Sequence, residues 1–184
     1  MTWGNYQLRE VSREDLDYLY EWRNADNVRS FMMNDDIIAL DDHYSWFKSI
    51  EGDNRKKLMI CLYEAKPIGS VQFTIDVKNQ TCEWGFYIGD LSSPPGSGSM
   101  MGILALDYAF RQLAVRKVCA QVLDFNVKSL SYHRKLGFEE EGLLKSQIAR
   151  NGKFINVILF GLLKENWEMV KPFLLGEGEK REKD

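Results

Sequence analysis

The sequence predicts an α/β (α+β) fold, in which a mixed, mostly antiparallel sheet carries helices on both faces. Three observations support this prediction. The runs "KLMICLYEA", "IGSVQFTID" and "TCEWGFYIG" are strand-like and separated by short turns, which is typical of an antiparallel meander. A strand, a helix and a strand then follow each other around a glycine-rich loop, and only this unit requires a crossover. The Asn151-Gly152 pair between the last two apolar runs is the strongest short hairpin signal.

The chain begins with one predicted strand and two predicted helices. "YQLREV" alternates like a strand. "SREDLDYLYEWRN" is helical in its apolar spacing, and Ser12 and Asp15 stand in capping-box-like positions at its start. "LDDHYSWFKSI" has the spacing of a second helix, with Asp41 or Asp42 near its beginning. The meander of three strands comes next.

The second half alternates between helices and strands. A helix from about Ser99 to Leu113 follows the glycine-rich loop, and "KVCAQVLD" is the next strand. "NVKSLSYHRKL" is a helix that ends at Gly137, because glycine is common just beyond the last helical turn. The hairpin "EEEGLLKSQIAR" and "FINVILFGLL" and a short helix, "KENWEMVKPFL", complete the chain. The predicted order is β-α-α-β-β-β-α-β-α-β-β, and the short helix follows the last strand in sequence.

Length and composition indicate one cytoplasmic domain. The 184 residues predict a single domain over 1–174 and a disordered charged tail over 175–184. The chain is 45% hydrophobic and 28% charged, with no apolar run long enough to span a bilayer and no signal-peptide pattern at its start. Cys61, Cys82 and Cys119 occur singly, without metal-site spacing. We expect reduced core cysteines and no metal.

The charge pattern argues against nucleic acid as a partner and for a local anion site. The formal net charge is −3, from 24 basic and 27 acidic residues. Residues 111–135 nevertheless contain six basic side chains and one acidic one. This basic stretch follows "PPGSGSMMG" at 94–102, a flexible loop in front of an amphipathic helix. A helix N-terminus attracts anions through its unpaired N–H groups and its dipole, whereas the alternative for such a loop is a plain surface turn.

Three segments together resemble the GCN5-related N-acetyltransferase (GNAT) superfamily, over about Tyr6 to Trp167. The loop 95–100 aligns with the family's Q/R-x-x-G-x-G/A signature, although only the central Gly98 matches. "CEWGFYIG" resembles the family's fourth strand, and "NVKSLSYHRKLGF" resembles its N-x-x-S … K-x-G-F helix. No G-K-[ST] follows the glycines, which argues against a P-loop NTPase.

The resemblance implies acetyl-CoA as co-substrate. The loop amides would hold its pyrophosphate, a splayed fourth strand would face its pantetheine arm, and nearby basic residues would assist at its 3′-phosphate. Asn126 is one of the implied contacts, and its alternative role is to cap the helix that follows it. The implied acetyl-CoA contacts are Phe86, Tyr87, Ile88, Gly96, Ser97, Gly98, Ser99, Met100, Met101, Gly102, Asn126, Ser129 and Lys135.

Acetyl transfer from a thioester to an amine requires a deprotonated amine, a donor to the developing oxyanion and a proton for the leaving thiolate. Glu83 falls where many family members carry a carboxylate that removes the amine proton; the alternative is an exposed strand glutamate. His133 occupies the position of the family's acidic tyrosine, with Tyr132 beside it. His133 is the first choice for the acid and Tyr132 the alternative, while a surface histidine without a catalytic role is a third interpretation.

The segments "EWRN", "VR" and "DHYSWF" are similar to a narrower group, the N-acetyltransferases acting on UDP-4-amino-4,6-dideoxy-N-acetyl-β-L-altrosamine in pseudaminic acid biosynthesis. This resemblance implies a small-molecule amino-sugar nucleotide as acceptor, with aromatic side chains on its rings and Arg23 or Arg29 at its phosphates. The alternative interpretation for at least one of Trp22 and Trp46 is a side chain buried in the hydrophobic core. The implied acceptor contacts are Trp22, Arg23, Asn24, Arg29, Met32, His43, Trp46 and Trp84.

Other functions stay open at this point. One alternative of the same fold is a protein N-terminal, ribosomal-protein or antibiotic acetyltransferase. An alternative of another class is a non-catalytic acyl-CoA-binding sensor, which would lack the acid and the base. We expect no nucleic-acid or membrane partner, and the oligomeric state, including a homodimer, is left open.

Overall fold

The computed structural model describes residues 1–176, in which one eight-stranded sheet carries six α-helices and the short 3-10 helix Arg13–Asp15. The predicted disorder of the tail concerns residues that lie mostly outside this range. The strands pair in the order β1-β2-β3-β4-β5-β6-β8-β7. The strands are β1 (Thr2–Trp3), β2 (Tyr6–Glu10), β3 (Lys56–Tyr63), β4 (Lys66–Asp76), β5 (Thr81–Ile88), β6 (Lys117–Leu123), β7 (Glu139–Arg150) and β8 (Lys153–Leu163). The helices are α1 (Leu16–Asn24), α2 (Asp26–Arg29), α3 (Leu40–Ile50), α4 (Ser97–Arg111), α5 (Val127–Lys135) and α6 (Lys164–Leu174).

The predicted fold class is confirmed, and the predicted order of elements is found with short additions. The two-residue β1 turns back onto β2 at Gly4, and the four-residue α2 directly follows α1. Neither is long enough to show a periodicity in sequence. The last hairpin turns at Asn151 and Gly152, whose φ angles of 50° and 73° are those that a two-residue hairpin turn requires.

Helices cover both faces of the sheet. Along β3 the side chains alternate: Met59 and Cys61 pack in the cluster around α4, whereas Ile60 and Leu62 pack against α1. Because β3 is buried on both faces, its sequence is a continuous apolar run. Burial raises the pKa of the Cys61 thiol to about 12, so this cysteine is a core residue. Among the described residues, no helix combines the length and apolar character needed to cross a membrane.

The carboxylate of Asp15, which is 3% exposed, closes the short 3-10 helix Arg13–Asp15 that leads into α1. It accepts hydrogen bonds from the Ser12 backbone N–H at 2.8 Å and from both terminal nitrogens of Arg9 at 2.7 and 2.9 Å. Burial alone would raise the pKa of Asp15, but the hydrogen bonds from Arg9 and Ser12 outweigh it and hold the pKa below its usual value. The capping box expected from the sequence is therefore present, and it starts the 3-10 helix that precedes α1.

Within residues 1–176, β5 and β6 form the one parallel strand pair, and the sheet opens between them. β5 and β6 pair only over Thr81–Glu83 and Lys117–Cys119, after which the two strands diverge. β5 continues to pair with β4 up to Ile88, so its other edge faces a gap from Trp84 onward. This gap leads to the candidate site.

Candidate active site

A groove of about 820 Å³ occupies the gap between β5 and β6. β5 contributes one wall, and the end of β6 with the first turn of α5 contributes the opposite wall. The segment after α2 lies along a third side. The groove is lined by Arg23, Asn27, Val28, Phe31, Met32, Met33, Asn34, Gln72, Thr74, Glu83, Trp84, Gly85, Phe86, Tyr87, Ile88, Leu91, Gly98, Ala120, Gln121, Val122, Leu123, Asn126, Lys128, Ser129, Tyr132 and His133.

The N-terminus of α4 opens toward this groove through Gly98. Gly96, with φ at 91°, turns the chain into the helix, and no side chain caps the first turn. The Ser97 hydroxyl is engaged elsewhere: it donates to the Pro94 carbonyl at 2.7 Å and lies 3.1 Å from the Tyr6 hydroxyl. A Cβ on Gly98 would meet only the Ile88 side chain, at 3.9 Å. The first-turn amides and the open space at Gly98 fit a phosphate group of acetyl-CoA.

The residues expected to bind acetyl-CoA fall into two sets. Lining the groove are Phe86, Tyr87, Ile88, Gly98, Asn126 and Ser129. Outside its lining are Gly96, Ser97, Ser99, Met100, Met101, Gly102 and Lys135. Met101 is fully buried in the core, so it contributes packing at this position. The Asn126 side chain accepts from the Ser129 N–H at 3.2 Å, which is the helix-capping role considered for it.

Several basic side chains of residues 111–135 are paired with other groups of the protein. Lys117 pairs with Glu141, Arg134 pairs with Glu140, and the Arg116 side chain donates to the Asn79 carbonyl. Of the six basic residues, Lys128 lines the groove. Sequence proximity therefore overstated the positive charge at the groove.

His133 is a core residue and not a surface histidine. It is 2% exposed and packs among the rings of Trp84, Phe86, Phe138 and Phe160. Burial in these uncharged surroundings lowers its pKa to about 4, so the ring is neutral at pH 7. Its Nδ1 lies 2.8 Å from the Ser129 carbonyl, which can only accept, so Nδ1 carries the proton and Nε2 a lone pair. Nε2 has no hydrogen-bond partner among the described residues.

The Tyr132 hydroxyl, which comes from α5, is hydrogen-bonded to the backbone of α4. It donates to the Gly98 carbonyl at 2.6 Å, and a Cβ on Gly102 would overlap it. Burial raises the pKa of Tyr132 above its ordinary value. The two candidate acids thus both line the groove, and each directs its proton to a backbone carbonyl.

Glu83 lies where the two strands begin to diverge. It is exposed on β5, opposite Thr74 of β4, and it lines the groove. Its Oε2 accepts a hydrogen bond from the Gln121 amide of β6 at 3.3 Å. This carboxylate can receive a proton from a group bound in the gap.

A smaller pocket of about 170 Å³ joins the groove on the α1 and α3 side of the sheet. The two cavities share Arg23, Met32, Gln72, Gly85, Phe86 and Tyr87. The remaining lining residues are Leu19, Ile38, His43, Trp46, Leu58 and Ser70. Arg23 is the charged side chain of this lining, and no carboxylate is found among the described residues that line the pocket.

The expected acceptor residues are only partly brought together. Arg23, Met32, His43 and Trp46 line the small pocket, and Trp84 lines the groove with its indole N–H unpartnered among the described residues. Trp22 is a core side chain instead, packed near Tyr18 and Tyr87.

Asn24 and Arg29 do not line either cavity. Their side chains form hydrogen bonds with nearby backbone groups. The Asn24 amide exchanges two hydrogen bonds with the backbone of Ile38, at 3.0 and 2.8 Å. Arg29 pairs with Asp26 and donates to the Asp35 carbonyl at 2.7 Å.

The sequence prediction omitted the face of β4 that lies next to β5. Gln72 and Gly85, which are paired in register, line both cavities. Gln72 and Thr74 are the polar members of an alternating strand, so their period of two was the available signal. Within residues 1–176 no cluster of three or more His, Cys, Asp or Glu side chains is arranged to hold a metal ion.

The model of the acetyltransferase (GNAT) domain family matches residues 6–139, which is most of the chain. The chain belongs to the GNAT family. This GNAT chain is 30% identical over 185 residues to the SPbeta prophage-derived uncharacterized N-acetyltransferase YokL of Bacillus subtilis (strain 168), covering 91% of this chain and 95% of YokL. It is 25% identical to the acetyltransferase PseH of Campylobacter jejuni (strain 81-176), covering 70% of this chain and 80% of PseH.

A solved GNAT structure has the same fold. Spermidine N-acetyltransferase from Vibrio cholerae, in complex with CoA and spermine, superposes with a TM-score of 0.84 at 23% identity. The match covers 89% of this chain and 98% of the Vibrio chain. The GNAT chain is therefore an acyltransferase, an acetyl-CoA-dependent N-acetyltransferase.

Proposed function

We propose that this enzyme transfers an acetyl group to the 4-amino group of a UDP-linked 4-amino-4,6-dideoxy sugar. The observation that carries the proposal is the half-buried Arg23, the charged side chain in the lining of the small pocket. Its Nη2 donates to the Asn34 carbonyl at 2.5 Å, while Nη1 is buried without a partner among the described residues. A buried donor without a partner is costly, and a phosphate oxygen of the acceptor would satisfy it.

The size and lining of the small pocket suit a deoxy sugar ring. About 170 Å³ is the scale of a cavity that accommodates one six-membered ring. Trp46 and Tyr87 offer aromatic surface to the apolar face of the ring, and Gln72 offers a polar group. The nucleotide would leave the pocket past Arg23 into the wider groove, along Asn27 and Asn34.

The electrostatics of the pocket disfavour a polyamine as acceptor. An ammonium group that enters a buried site loses its hydrogen bonds to water and needs acceptors from the protein in their place. Carboxylates are the best such acceptors. The lining instead presents the cation Arg23. The Vibrio relative is a spermidine acetyltransferase, whereas PseH is similar at comparable identity. The charge of the pocket is therefore the better guide to the acceptor.

The groove receives acetyl-CoA in this proposal. Its phosphates bind at the first turn of α4 near Gly98, and its arm runs along Phe86 to Ile88 with Lys128 on the opposite wall. When bound, acetyl-CoA supplies a thioester carbonyl for the amine to attack. Backbone groups of β5, on the edge that diverges from β6, are the proposed donors to the carbonyl oxygen.

Glu83 is the proposed base that takes the proton of the acceptor amine, directly or through water. The source of the thiolate proton is proposed to be His133 or Tyr132, as expected from sequence. Either group would first have to release its carbonyl partner, at Ser129 or Gly98. Mutation distinguishes them: the true acid, when removed by His133→Ala or Tyr132→Phe, lowers kcat by roughly 10²- to 10⁴-fold.

A competition assay tests the acceptor. The UDP-4-amino sugar, spermidine and a peptide with a free N-terminus are offered at equal concentration with acetyl-CoA, and the acetylated products are identified by mass spectrometry. We expect acetylation of the sugar nucleotide, and we expect Arg23→Gln to raise the KM for it. Acetylation of spermidine or peptide without the sugar nucleotide would refute the proposed acceptor and leave the acetyltransferase assignment intact.

A further inference from the structure

We propose that Arg150, at the tip of the β7–β8 hairpin, is a positioning residue that sets the acceptor-side wall of the site and thereby determines acceptor affinity. This inference deepens the proposed function, because it concerns the same site. Arg150 does not line either cavity, and it acts through the segment 30–35, hereafter the wall segment. It is 120 residues away in sequence from the first residue of that segment.

Arg150 holds the wall segment by its backbone. Its Nη1 donates to the Ser30 carbonyl at 2.8 Å, and its Nη2 donates to the Met32 carbonyl. Its Nε forms an ion pair with the Asp35 carboxylate at 3.2 Å. The side chain is only 8% exposed, and its guanidinium carbon lies 5.8 Å from the centre of the Phe125 ring. A planar fork with several fixed donors suits this set of acceptors, whereas a lysine ammonium does not.

The wall segment carries side chains of both cavities. Met32 lines the small pocket and the groove, and Phe31, Met33 and Asn34 line the groove. The Phe31 ring lies 6.1 Å from the ring of Phe125, two residues beyond β6. Arg150 thus contacts the wall segment at Ser30 and Met32, next to α2, and again at Asp35.

The wall segment also orients Arg23. The Asn34 carbonyl accepts from Nη2 of Arg23, so the place of this carbonyl decides where the free Nη1 points. Arg29 adds one further bond to the same segment, at the Asp35 carbonyl. Three arginines thus hold the carbonyls of a short stretch without regular structure, and of these three Arg23 is the one that lines the two cavities with an unpartnered donor. Loss of Arg150 removes the bonds that fix the Met32 end of the wall.

The test compares Arg150→Ala with Arg13→Ala. Arg13 is exposed, pairs with Glu51 and lies outside both cavities, so its removal controls for loss of an arginine and its ion pair. For Arg150→Ala we expect the acceptor KM to rise about tenfold or more, which is the effect of losing one charge-assisted hydrogen bond. The KM for acetyl-CoA and kcat at saturating acceptor should stay within about twofold of wild type, a split that general destabilisation does not produce. Arg150→Lys should give an intermediate acceptor KM.

A second measurement needs no acceptor. Hydrogen exchange of the free enzyme should become faster over residues 30–37 in Arg150→Ala and stay unchanged there in Arg13→Ala. If Arg150→Ala gives no folded protein, Arg150→Lys serves in both measurements with the same direction of change. Unchanged acceptor KM and unchanged exchange, or equal increases in both KM values, would overturn the proposal.

The outcome is separable from that of the acceptor assay. If spermidine is the amine acetylated in competition, the sugar-nucleotide proposal fails, and the Arg150 variants are then measured with spermidine. The same rise in acceptor KM is expected, because Arg150 acts on the wall and not on the nucleotide.

Discussion

At the scale of single residues, Gly98 tests where acetyl-CoA binds. The space beside its Cα faces the groove, and a Cβ would meet only Ile88 at 3.9 Å. Gly98→Val should therefore fold normally, yet its side chain would occupy the approach to the α4 amides and weaken CoA binding by about tenfold or more. Isothermal titration with CoA measures this. Wild-type affinity in a folded Gly98→Val variant would place the phosphates elsewhere.

The proposed role of Glu83 as the base for the acceptor amine can be tested by mutation. In Glu83→Gln the shape and the Gln121 contact can persist, but the amide cannot take up the amine proton. We expect kcat to fall by roughly 10²- to 10⁴-fold with the KM for acetyl-CoA unchanged. Glu64→Gln, at an exposed turn between β3 and β4, is the matched control and should retain full activity. Full turnover in Glu83→Gln would exclude this carboxylate as the base.

His133 makes the free energy of unfolding depend on pH. The unfolded ring takes up its proton near its ordinary pKa of 6.5, whereas the folded ring does so only near 4. Between pH 6.5 and 4 the unfolded state therefore binds more protons, and stability falls as the pH falls through this window. At pH 5 the loss from His133 would be about 2 kcal/mol, at 1.4 kcal/mol per pH unit.

Urea unfolding at pH 7.5 and 5.0 measures this effect. The loss of stability on acidification should be smaller in His133→Phe than in wild type, because Phe has no proton to bind and suits the aromatic cage. Burial also lowers the pKa of His43, the second histidine, so the wild-type loss has two sources and the difference between the two proteins isolates His133. Equal losses in both proteins would mean that His133 is not the buried neutral group described above.

At the scale of elements, Gly102 controls how α5 meets α4. The Tyr132 hydroxyl reaches over Gly102 to the Gly98 carbonyl, and a Cβ at 102 would overlap that hydroxyl and lie 3.3 Å from Leu136. Alanine normally improves a helix by about 0.5–1 kcal/mol over glycine. Overpacking costs about 1–3 kcal/mol, so Gly102→Ala should lower the free energy of unfolding on balance.

The double variant Gly102→Ala/Tyr132→Phe checks this reason. Removing the hydroxyl relieves the overlap, so the double variant should be more stable than the sum of the two single effects predicts. Strict additivity in urea unfolding would show that Gly102 and Tyr132 do not interact in this way.

Sequence patterns predicted the elements well, because period and turn chemistry are local properties. The meander, the helix after Gly96 and the Asn151-Gly152 hairpin all lie where apolar spacing and turn residues predict them. β1 and α2 escaped prediction since two or four residues show no period. His133 could have been placed inward from sequence, because Leu130 precedes it by three residues on the same helix face and both are buried.

The candidate site was less predictable, since it depends on contacts between distant segments. Either Arg23 or Arg29 was expected at the phosphates, and Arg29 instead pairs with Asp26 and donates to the Asp35 carbonyl. Backbone carbonyls have no signature in residue type, so the sequence cannot indicate which arginine they capture. The same reason hides Arg150, whose partners lie more than 100 residues away.

At the scale of the whole molecule, acetyl-CoA should stabilise the fold, because the groove proposed to bind it exists only when β5, β6, α4 and α5 are assembled. A ligand that binds only the folded state at 100 times its Kd adds about 2.7 kcal/mol to the free energy of unfolding. For a chain of this length that corresponds to a rise in Tm of roughly 5–10 °C, which a thermal shift assay measures.

Charge makes this stabilisation sensitive to salt. The chain has a net charge of −3 and CoA is itself an anion, so binding at the proposed site would rely on local groups, the α4 amides and Lys128. At a fixed CoA concentration the rise in Tm should shrink as salt increases, because the Debye length falls from about 10 Å at 0.1 M to about 3 Å at 1 M. Gly98→Val should show little rise at any salt concentration. A rise that is equal in wild type and Gly98→Val would locate the stabilising CoA site outside the β5–β6 groove.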